Sequence, residues 1–233
     1  MVEPAASHRR LNRRLLACTR CGRLREHCLE VARRKRAAFS RETYHGRPVP
    51  NFGDPNAGLL IVGLAPAAHG ANRTGRMFTG DRSGDFLYRV MHEAGFASQD
   101  RATHRRDGLV LTGAMITAVV HCAPPGNKPT TEETANCRPF LDEVFQMLAN
   151  LKVVLCLGRI AFDAVTRRYQ QEGRIEKRSA YRFAHGAEHV IRRSPTILCS
   201  YHPSQQNTFT GRLTHGMMLD VFKRARTIVD AGR

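Results

Sequence analysis

The sequence of 233 residues lacks any long apolar run. No stretch approaches the roughly 18 consecutive apolar residues that a membrane-spanning helix requires, so we expect no membrane partner. Residues 1–14 also lack the apolar segment that marks a secretory signal. Together these two absences predict a cytoplasmic protein.

Acidic residues are scarce relative to basic ones. Lysine and arginine number 37 against 20 aspartates and glutamates, which gives a formal net charge of +17. The excess comes from short basic clusters spread along the chain: Arg9-Arg10, Arg13-Arg14, Arg33 to Arg36, Arg105-Arg106, Arg167-Arg168, Arg192-Arg193 and Lys223-Arg224. This distribution predicts a basic surface that binds a polyanion, with DNA or RNA ahead of an anionic membrane. A basic surface that is merely solvated is the weaker interpretation.

Cysteine occurs an odd number of times, which argues against a disulfide framework in a cytoplasmic chain. The seven are Cys18, Cys21, Cys28, Cys122, Cys137, Cys156 and Cys199. Cys18 and Cys21 have the spacing of a chelating pair, so we expect some of the cysteines to bind a metal ion or a cluster. Four thiolates can hold either zinc or a [4Fe–4S] cluster, and the spacing alone does not decide between them.

Short apolar runs alternate with helical periodicity along the chain. Strands are predicted at residues 58–63, 109–120, 152–157 and 195–201, and helices at 86–94, 131–149, 158–165 and 211–231. A cationic helical segment at 8–38 is interrupted at 18–21, residues 44–54 form an extended loop, and residues 181–191 are predicted to be a hairpin. The alternation favours a parallel α/β sheet covered by helices. Sites in such sheets lie at the carboxyl ends of strands, which here means the loops after Gly63, Val120 and Tyr201.

Two of these loops have the composition of binding loops. Residues 63–81 are rich in glycine and small residues, which lets backbone N–H groups approach a ligand closely. The loop matches neither a Walker A motif nor a GxGxxG motif, so no nucleotide cofactor is expected. Residues 200–214 place His202 just past a strand, followed by hydrogen-bonding residues and Arg212. The alternatives are that residues 63–81 form only a flexible linker and that His202 has only a structural role.

These two loops closely resemble the signature motifs of family 5, or B-type, uracil-DNA glycosylases. The segments are GLAPAAHGANRTGRMFTGD and SYHPSQQNTFTGRLT, and VVLCLGRIAFDAV and HCAPPGNKPT extend the resemblance over nearly the whole chain. The resemblance implies a three-layer α/β/α sandwich with a central four-stranded parallel sheet and an N-terminal helical iron–sulfur arm. It also implies hydrolysis of the N-glycosidic bond of a damaged base. We expect one domain over residues 1–233, with the arm at 1–54 and the α/β core at 55–233.

The resemblance also assigns the cysteines. It implies a structural [4Fe–4S] cluster held by Cys18, Cys21, Cys122 and Cys137, with zinc as the weaker alternative. Cys28 is within reach along the same helical segment, but it does not match the family pattern.

The resemblance further implies a pocket for a nucleotide that has been flipped out of the DNA stack. Its residues are Gly63, Leu64, Ala65, Pro66, Ala67, Phe78, Ala118 and His202. His202 matches the motif histidine and donates a hydrogen bond to the leaving base, and Phe78 stacks on that base. The family pattern commonly has asparagine where this chain has Ala118. We therefore expect a relaxed pocket that admits uracil, hypoxanthine, xanthine and modified pyrimidines.

Asp81 is the nearest acid to the first loop and has two interpretations. It matches a family position linked to catalysis, which would make it the residue that activates water. It also precedes a predicted helix that begins near Ser83, where an aspartate commonly caps the helix N-terminus. Both interpretations stay open at this point.

DNA contacts are predicted for polar residues of both loops: His69, Asn72, Arg73, Ser204, Gln205, Asn207 and Arg212. The segment 204–212 is expected to enter the minor groove. Neither motif contains lysine, so we expect a monofunctional enzyme without a lyase step. The expected partners are double- and single-stranded DNA, and the protein is expected to be a nucleoid-associated monomer. The alternatives are a non-enzymatic nucleic-acid-binding protein with a zinc or iron–sulfur site and, more remotely, a hydrolase with a cysteine or serine nucleophile.

Overall fold

Four apolar runs of five residues form the centre of the sheet. They are β2 (Leu59–Gly63), β3 (Ala114–Ala118), β4 (Val153–Leu157) and β6 (Thr196–Ser200). In this computed structural model, which describes residues 3–231, they pair in parallel in the order β3-β2-β4-β6. Nearly every residue of the four strands is buried, because both faces of the sheet are covered. Burial on both faces explains why these runs are continuously apolar and do not alternate with polar residues.

Two further strands make the sheet six-stranded and mixed, which corrects the expectation of a four-stranded parallel sheet. They are β1 (Phe52–Gly53), antiparallel to β3, and β5 (Glu188–His189), antiparallel to β6. Each has only two residues, too few for a periodic pattern to reveal. The hairpin predicted within 181–191 is wrong, because β5 pairs with β6.

Eight helices occur among the described residues. They are α1 (Pro4–Leu16), α2 (Gly22–Arg34), α3 (Ala71–Thr74), α4 (Arg82–Glu93), α5 (Thr131–Met147), α6 (Arg159–Gln171), α7 (Gln205–Phe209) and α8 (His215–Asp230). Leu59 and Ile61 pack in one apolar layer with α4 and α8, whereas Leu60 and Val62 pack in the other with α1, α5 and α6. The fold is therefore α/β, with helices on both faces. None of the helices within residues 3–231 is long and apolar enough to cross a membrane.

The N-terminal arm is firmly joined to the core. Leu11 and Leu15 of α1 are fully buried in the layer that contains α5 and α6. At the start of α2, Arg23 forms a bidentate ion pair with Glu133 of α5, with distances of 2.8 and 2.7 Å. Glu133 also completes a capping box with Thr130 at the start of α5. Residues 1, 2, 232 and 233, which the predicted domain bounds include, lie outside the described residues.

A buried ion pair fixes the loop that leads into the site. Arg76 donates two hydrogen bonds to Asp107, at 2.8 and 2.6 Å, and both side chains are at most 7% exposed. Burial alone would raise the pKa of Asp107. Hydrogen bonds from Arg76 and from the backbone of Leu109 and Thr103 outweigh burial and hold that pKa well below its usual range. This pair joins the 64–81 loop to the segment that precedes β3.

We predict that Asp107→Ala lowers the free energy of unfolding by about 3–5 kcal/mol, because it leaves the Arg76 guanidinium buried without its partner. Urea denaturation measures the change. Asp100→Ala is the matched control, since Asp100 is exposed, and it should change stability by less than about 0.5 kcal/mol. Equal stabilities of the two variants would contradict the assigned role of the pair.

Candidate active site

The site begins where β2 and β3 end side by side. Gly63 and Ala118, the last residues of these strands, are direct partners in the parallel ladder. Ala118 is 2% exposed and belongs to the apolar layer against which Phe78 and Tyr201 pack. The ladder continues into the loop, because the N–H of Val119 donates to the Gly63 carbonyl at 2.9 Å. Two predicted pocket residues are thus neighbours at the carboxyl edge of the sheet.

Phe78 lies directly against Gly63. A Cβ atom placed on Gly63 would come within 3.2 Å of the Phe78 ring, so a larger residue there would displace the ring. Phe78 itself has a φ of 51°, a backbone conformation that phenylalanine rarely adopts. Such strain persists only where surrounding contacts enforce it. The carbonyl oxygen of Phe78 packs so closely on Gly84 that a Cβ there would lie 1.7 Å away.

His202 completes this group of side chains. It follows β6, and its ring centroid lies 5.8 Å from that of Phe78. Asn207 donates from Nδ2 to the His202 carbonyl at 2.8 Å, which fixes the backbone of the histidine. Burial lowers the pKa of His202 to about 4, so the imidazole is neutral at physiological pH. A neutral imidazole offers one N–H donor without placing a positive charge in the site.

Asp81 is the N-cap of α4. Its Oδ1 accepts a hydrogen bond from the N–H of Gly84 at 2.9 Å. Its Oδ2 lies against Gly70, where a Cβ would come within 1.9 Å, so only glycine fits beside the carboxylate. Burial raises the pKa of Asp81, although the hydrogen bond from Gly84 opposes this effect. The helix-capping interpretation therefore describes one oxygen, and the second oxygen faces the first loop.

Two residues predicted to contact DNA are buried instead. Asn72 is fully buried and donates to the carbonyls of Cys28 and Ala68, both at 3.3 Å. Arg73 is 7% exposed; it pairs with Glu42 and donates to the Gly80 carbonyl at 2.7 Å. The predicted DNA contacts of Asn72 and Arg73 do not fit this burial. Both side chains hold the backbone of the loop, whose own N–H and C=O groups need partners.

The remaining predicted DNA contacts lie on the second loop, except for His69, which lies on the first loop. Ser204 precedes α7, Gln205 and Arg212 are exposed, and Arg212 lies over the Tyr201 ring at 4.6 Å. Asn207 lies in this loop as well, and its side chain donates to the His202 carbonyl in the hydrogen bond described above. His69 is partly exposed, and its Nδ1 lies 3.0 Å from the Tyr44 hydroxyl.

Sequence reasoning missed two residues of this region. Phe209, at the end of α7, is 67% exposed, and the Arg82 guanidinium lies over its ring at 5.2 Å. Its only signal in the sequence was an apolar residue within an otherwise polar loop. His185 lies behind the site, with its Nδ1 3.3 Å from the Tyr201 N–H and its Nε2 3.2 Å from the Met217 carbonyl. No sequence motif marks His185.

The four cysteines that the resemblance assigns to a cluster line one cavity of about 20 Å³ between the arm and the core. Cys18 follows α1, Cys21 precedes α2, Cys122 follows β3 and Cys137 is in α5. Cys28 directs its Sγ toward the Ala123 carbonyl, at 3.7 Å. In the part of the chain that the structure describes, no group of three or more histidine, cysteine or acidic side chains is placed to hold a metal ion. An all-sulfur donor set nonetheless fits the chemistry of an iron–sulfur cluster.

Known proteins resemble this chain over most of its length. A family model described as the uracil DNA glycosylase superfamily matches residues 50–226. The type-5 uracil-DNA glycosylase of Mycobacterium leprae is 45% identical over 225 residues, 96% of each chain. That of Thermus thermophilus is 47% identical over 214 residues, 92% of this chain and 94% of the relative. A type-4 uracil-DNA glycosylase of Pyrobaculum aerophilum is 31% identical over 123 residues, 52% of this chain and 55% of the relative.

The α/β fold, the site at its carboxyl edge and these similarities define the class: the chain belongs to the uracil DNA glycosylase superfamily. The two type-5 relatives cover nearly the whole chain, whereas the type-4 relative covers about half of it. Within the superfamily it is therefore a type-5 uracil-DNA glycosylase, an enzyme of DNA repair, as the two loop motifs predicted. The non-enzymatic alternative is set aside.

Proposed function

We propose that this enzyme is a monofunctional glycosylase with a relaxed pocket, which excises uracil and other deaminated or modified bases from single- and double-stranded DNA. The observation that carries the proposal is the packing of Phe78 between Gly63 and His202. This places an aromatic face and a neutral hydrogen-bond donor together at the end of the sheet. A flipped base needs such a face for stacking and such a donor for its oxygen.

The reaction breaks the bond between the sugar C1′ and the base nitrogen. The bonding electron pair leaves with the base, positive charge develops on the sugar, and a water oxygen then bonds to C1′. His202 donates its hydrogen bond to the base oxygen that gains negative charge. A water proton is released when the new bond forms, and the Oδ2 of Asp81 is the acceptor that we assign. The two loop motifs contain no lysine, which supports hydrolysis without a Schiff-base step.

We predict that His202→Ala slows single-turnover uracil excision by about 10²–10³-fold, because one preorganised donor is lost. Alkali-labile abasic sites in a uracil-containing oligonucleotide measure the rate, and filter binding should show nearly unchanged affinity. The wild-type rate should show no transition near pH 6.5 from His202, since its pKa of about 4 keeps it neutral above that value. A full rate in His202→Ala would refute the leaving-group assignment.

Asp81 serves in this proposal both as a cap and as a base. The Oδ1 atom accepts from the α4 N-terminus, and the Oδ2 atom faces Gly70 of the first loop. A carboxylate with one satisfied oxygen is held in a fixed orientation and can still accept a proton through the other. Because burial raises the pKa of Asp81, the rate should fall on acidification at a higher pH than an ordinary aspartate would give.

Two substitutions separate the roles of Asp81. Asparagine caps helices as well as aspartate does, so Asp81→Asn should keep the thermal stability. It should still lower the single-turnover rate by about 10²-fold, because the amide cannot accept the proton. Asp81→Ala should lose the same activity and, in addition, about 1 kcal/mol of stability. A wild-type rate in Asp81→Asn would reduce Asp81 to a capping residue.

The relaxed pocket is proposed from Ala118. Its methyl group lies on the Phe78 side of the sheet and has no hydrogen-bonding atom with which to read the edge of a base. Selection at this position then depends on shape alone. A pocket that reads shape without a bidentate partner discriminates weakly between bases. Hypoxanthine, xanthine and modified pyrimidines are therefore proposed substrates.

We predict that Ala118→Asn raises the ratio of uracil to hypoxanthine excision rates, because the asparagine amide can form hydrogen bonds with the matching edge of uracil. Ala118→Leu has a similar volume without the amide and is the matched control. Single-turnover rates on oligonucleotides that differ only in the lesion measure both ratios. If Ala118→Asn leaves the ratio unchanged, or if Ala118→Leu raises it as much, the relaxed-pocket proposal is wrong.

We further propose that Cys18, Cys21, Cys122 and Cys137 hold a structural [4Fe–4S] cluster. All four line one cavity, and four thiolates are a donor set that suits either a [4Fe–4S] cluster or zinc. The resemblance of the sequence to family 5 favours the cluster over zinc. When bound, the cluster would cross-link the two arm helices to β3 and α5.

Anaerobically purified protein should contain iron and acid-labile sulfide in equal amounts and absorb visible light. Cys137→Ala should lose the colour and much of the soluble yield. Cys156→Ala is the matched control, since Cys156 is fully buried in β4, and it should keep the iron. Zinc in place of iron, or full iron retention in Cys137→Ala, would overturn the assignment.

The proposed DNA surface surrounds the site. Its contacts are Ser204, Gln205, Arg212 and His69, and Phe209 is added as an apolar wedge that enters the base stack. We propose that the enzyme acts as a monomer. The excess of basic residues supports a location on nucleoid DNA, where phosphate contacts supply most of the affinity.

A further inference from the structure

A row of aromatic side chains leads away from His202. Tyr201 adjoins the histidine in sequence, and its ring lies 6.2 Å from that of Phe183. The row then continues through Phe162, His189 and Tyr181, with successive centroid distances of 5.9, 5.6 and 5.5 Å. Phe162 is buried, whereas the other four are partly exposed. We call these five residues the aromatic row.

Three arginines lie beside the aromatic row. A cavity of about 490 Å³ beside it is lined by Arg159, Arg178 and Arg182, together with the rings of Tyr181 and Phe183. Asp163 is the one acidic residue that lines this cavity. It pairs with Arg159 at 3.0 Å and with Arg178 at 3.5 Å, so the lining remains positively charged.

The cavity adjoins the base pocket. Arg159, at its rim, begins α6 directly after Gly158. A Cβ on Gly158 would lie 3.6 Å from the Cβ of His202, which is ordinary contact distance. Arg159, which lines this cavity, is therefore one residue away from the position that contacts His202.

We propose that the aromatic row and its three arginines bind unpaired nucleotides that flank the lesion in single-stranded DNA. The proposal rests on the function proposed above and adds a second binding surface to it. Proteins that bind single strands combine a cationic groove with aromatic faces, because every base has a π-face and every nucleotide a phosphate. Duplex bases are already stacked on one another, so this surface favours unpaired strands. An acidic protein segment would satisfy the arginines but would leave the rings unused.

Tyr181 offers the sharpest test, because Tyr181→Phe keeps the ring and Tyr181→Ala removes it. Fluorescence anisotropy is measured with a uracil-free single-stranded oligonucleotide and with its duplex. Tyr181→Ala should weaken single-strand binding about fivefold or more and change duplex binding less than about twofold. Tyr181→Phe should bind as the wild type does. Arg182→Ala should weaken single-strand binding more than Arg10→Ala, which removes an exposed charge on α1.

Three outcomes would overturn the proposal: equal losses on single strand and duplex, equal losses in Tyr181→Phe and Tyr181→Ala, or displacement of the oligonucleotide by polyglutamate as readily as by single-stranded DNA. Because the probe contains no uracil, the binding result does not depend on catalysis. Uracil excision from a duplex by the wild-type enzyme tests the proposed function separately.

Discussion

The contact between the Phe78 ring and the bare Cα of Gly63 is the constraint on which the site depends. Phe78 can reach this position only with a left-handed backbone, which costs free energy that its neighbours must offset. Tyr88 supplies part of this support by donating its hydroxyl hydrogen to the Met77 carbonyl at 2.8 Å. Gly84 supplies another part, since only glycine lets α4 approach the Phe78 carbonyl.

Apolar runs predicted the four central strands because those strands are buried on both faces, where hydrophobicity is continuous. The two edge strands escaped prediction for the opposite reason. Phe52–Gly53 and Glu188–His189 are partly exposed and only two residues long, so their pairing is decided by tertiary contacts. The predicted strand 109–120 shortens to Ala114–Ala118, because Leu109 donates to Asp107 and residues 110–112 pair with residues 96–98 outside the sheet.

The site could be located from the sequence, but the direction of its polar side chains could not. The resemblance to the family motifs identified Phe78, His202 and Gly63, which the fold brings together. The same motifs suggested that Asn72, Arg73 and Asn207 face DNA. A long loop must satisfy its own backbone, and these three side chains form hydrogen bonds with backbone carbonyls. Composition cannot distinguish a polar residue that binds a ligand from one that supports the loop.

The short strand β1 also bears on how the molecule folds. It belongs by sequence to the arm, yet it completes the sheet beside β3, so arm and core share one hydrogen-bonded surface. Arg23 and Glu133, 110 residues apart, add a second link of this kind. Contacts between such distant segments carry a high loop-closure entropy and form slowly. The arm would therefore dock late in folding, and the edge of β3 would stay open to intermolecular pairing until it does.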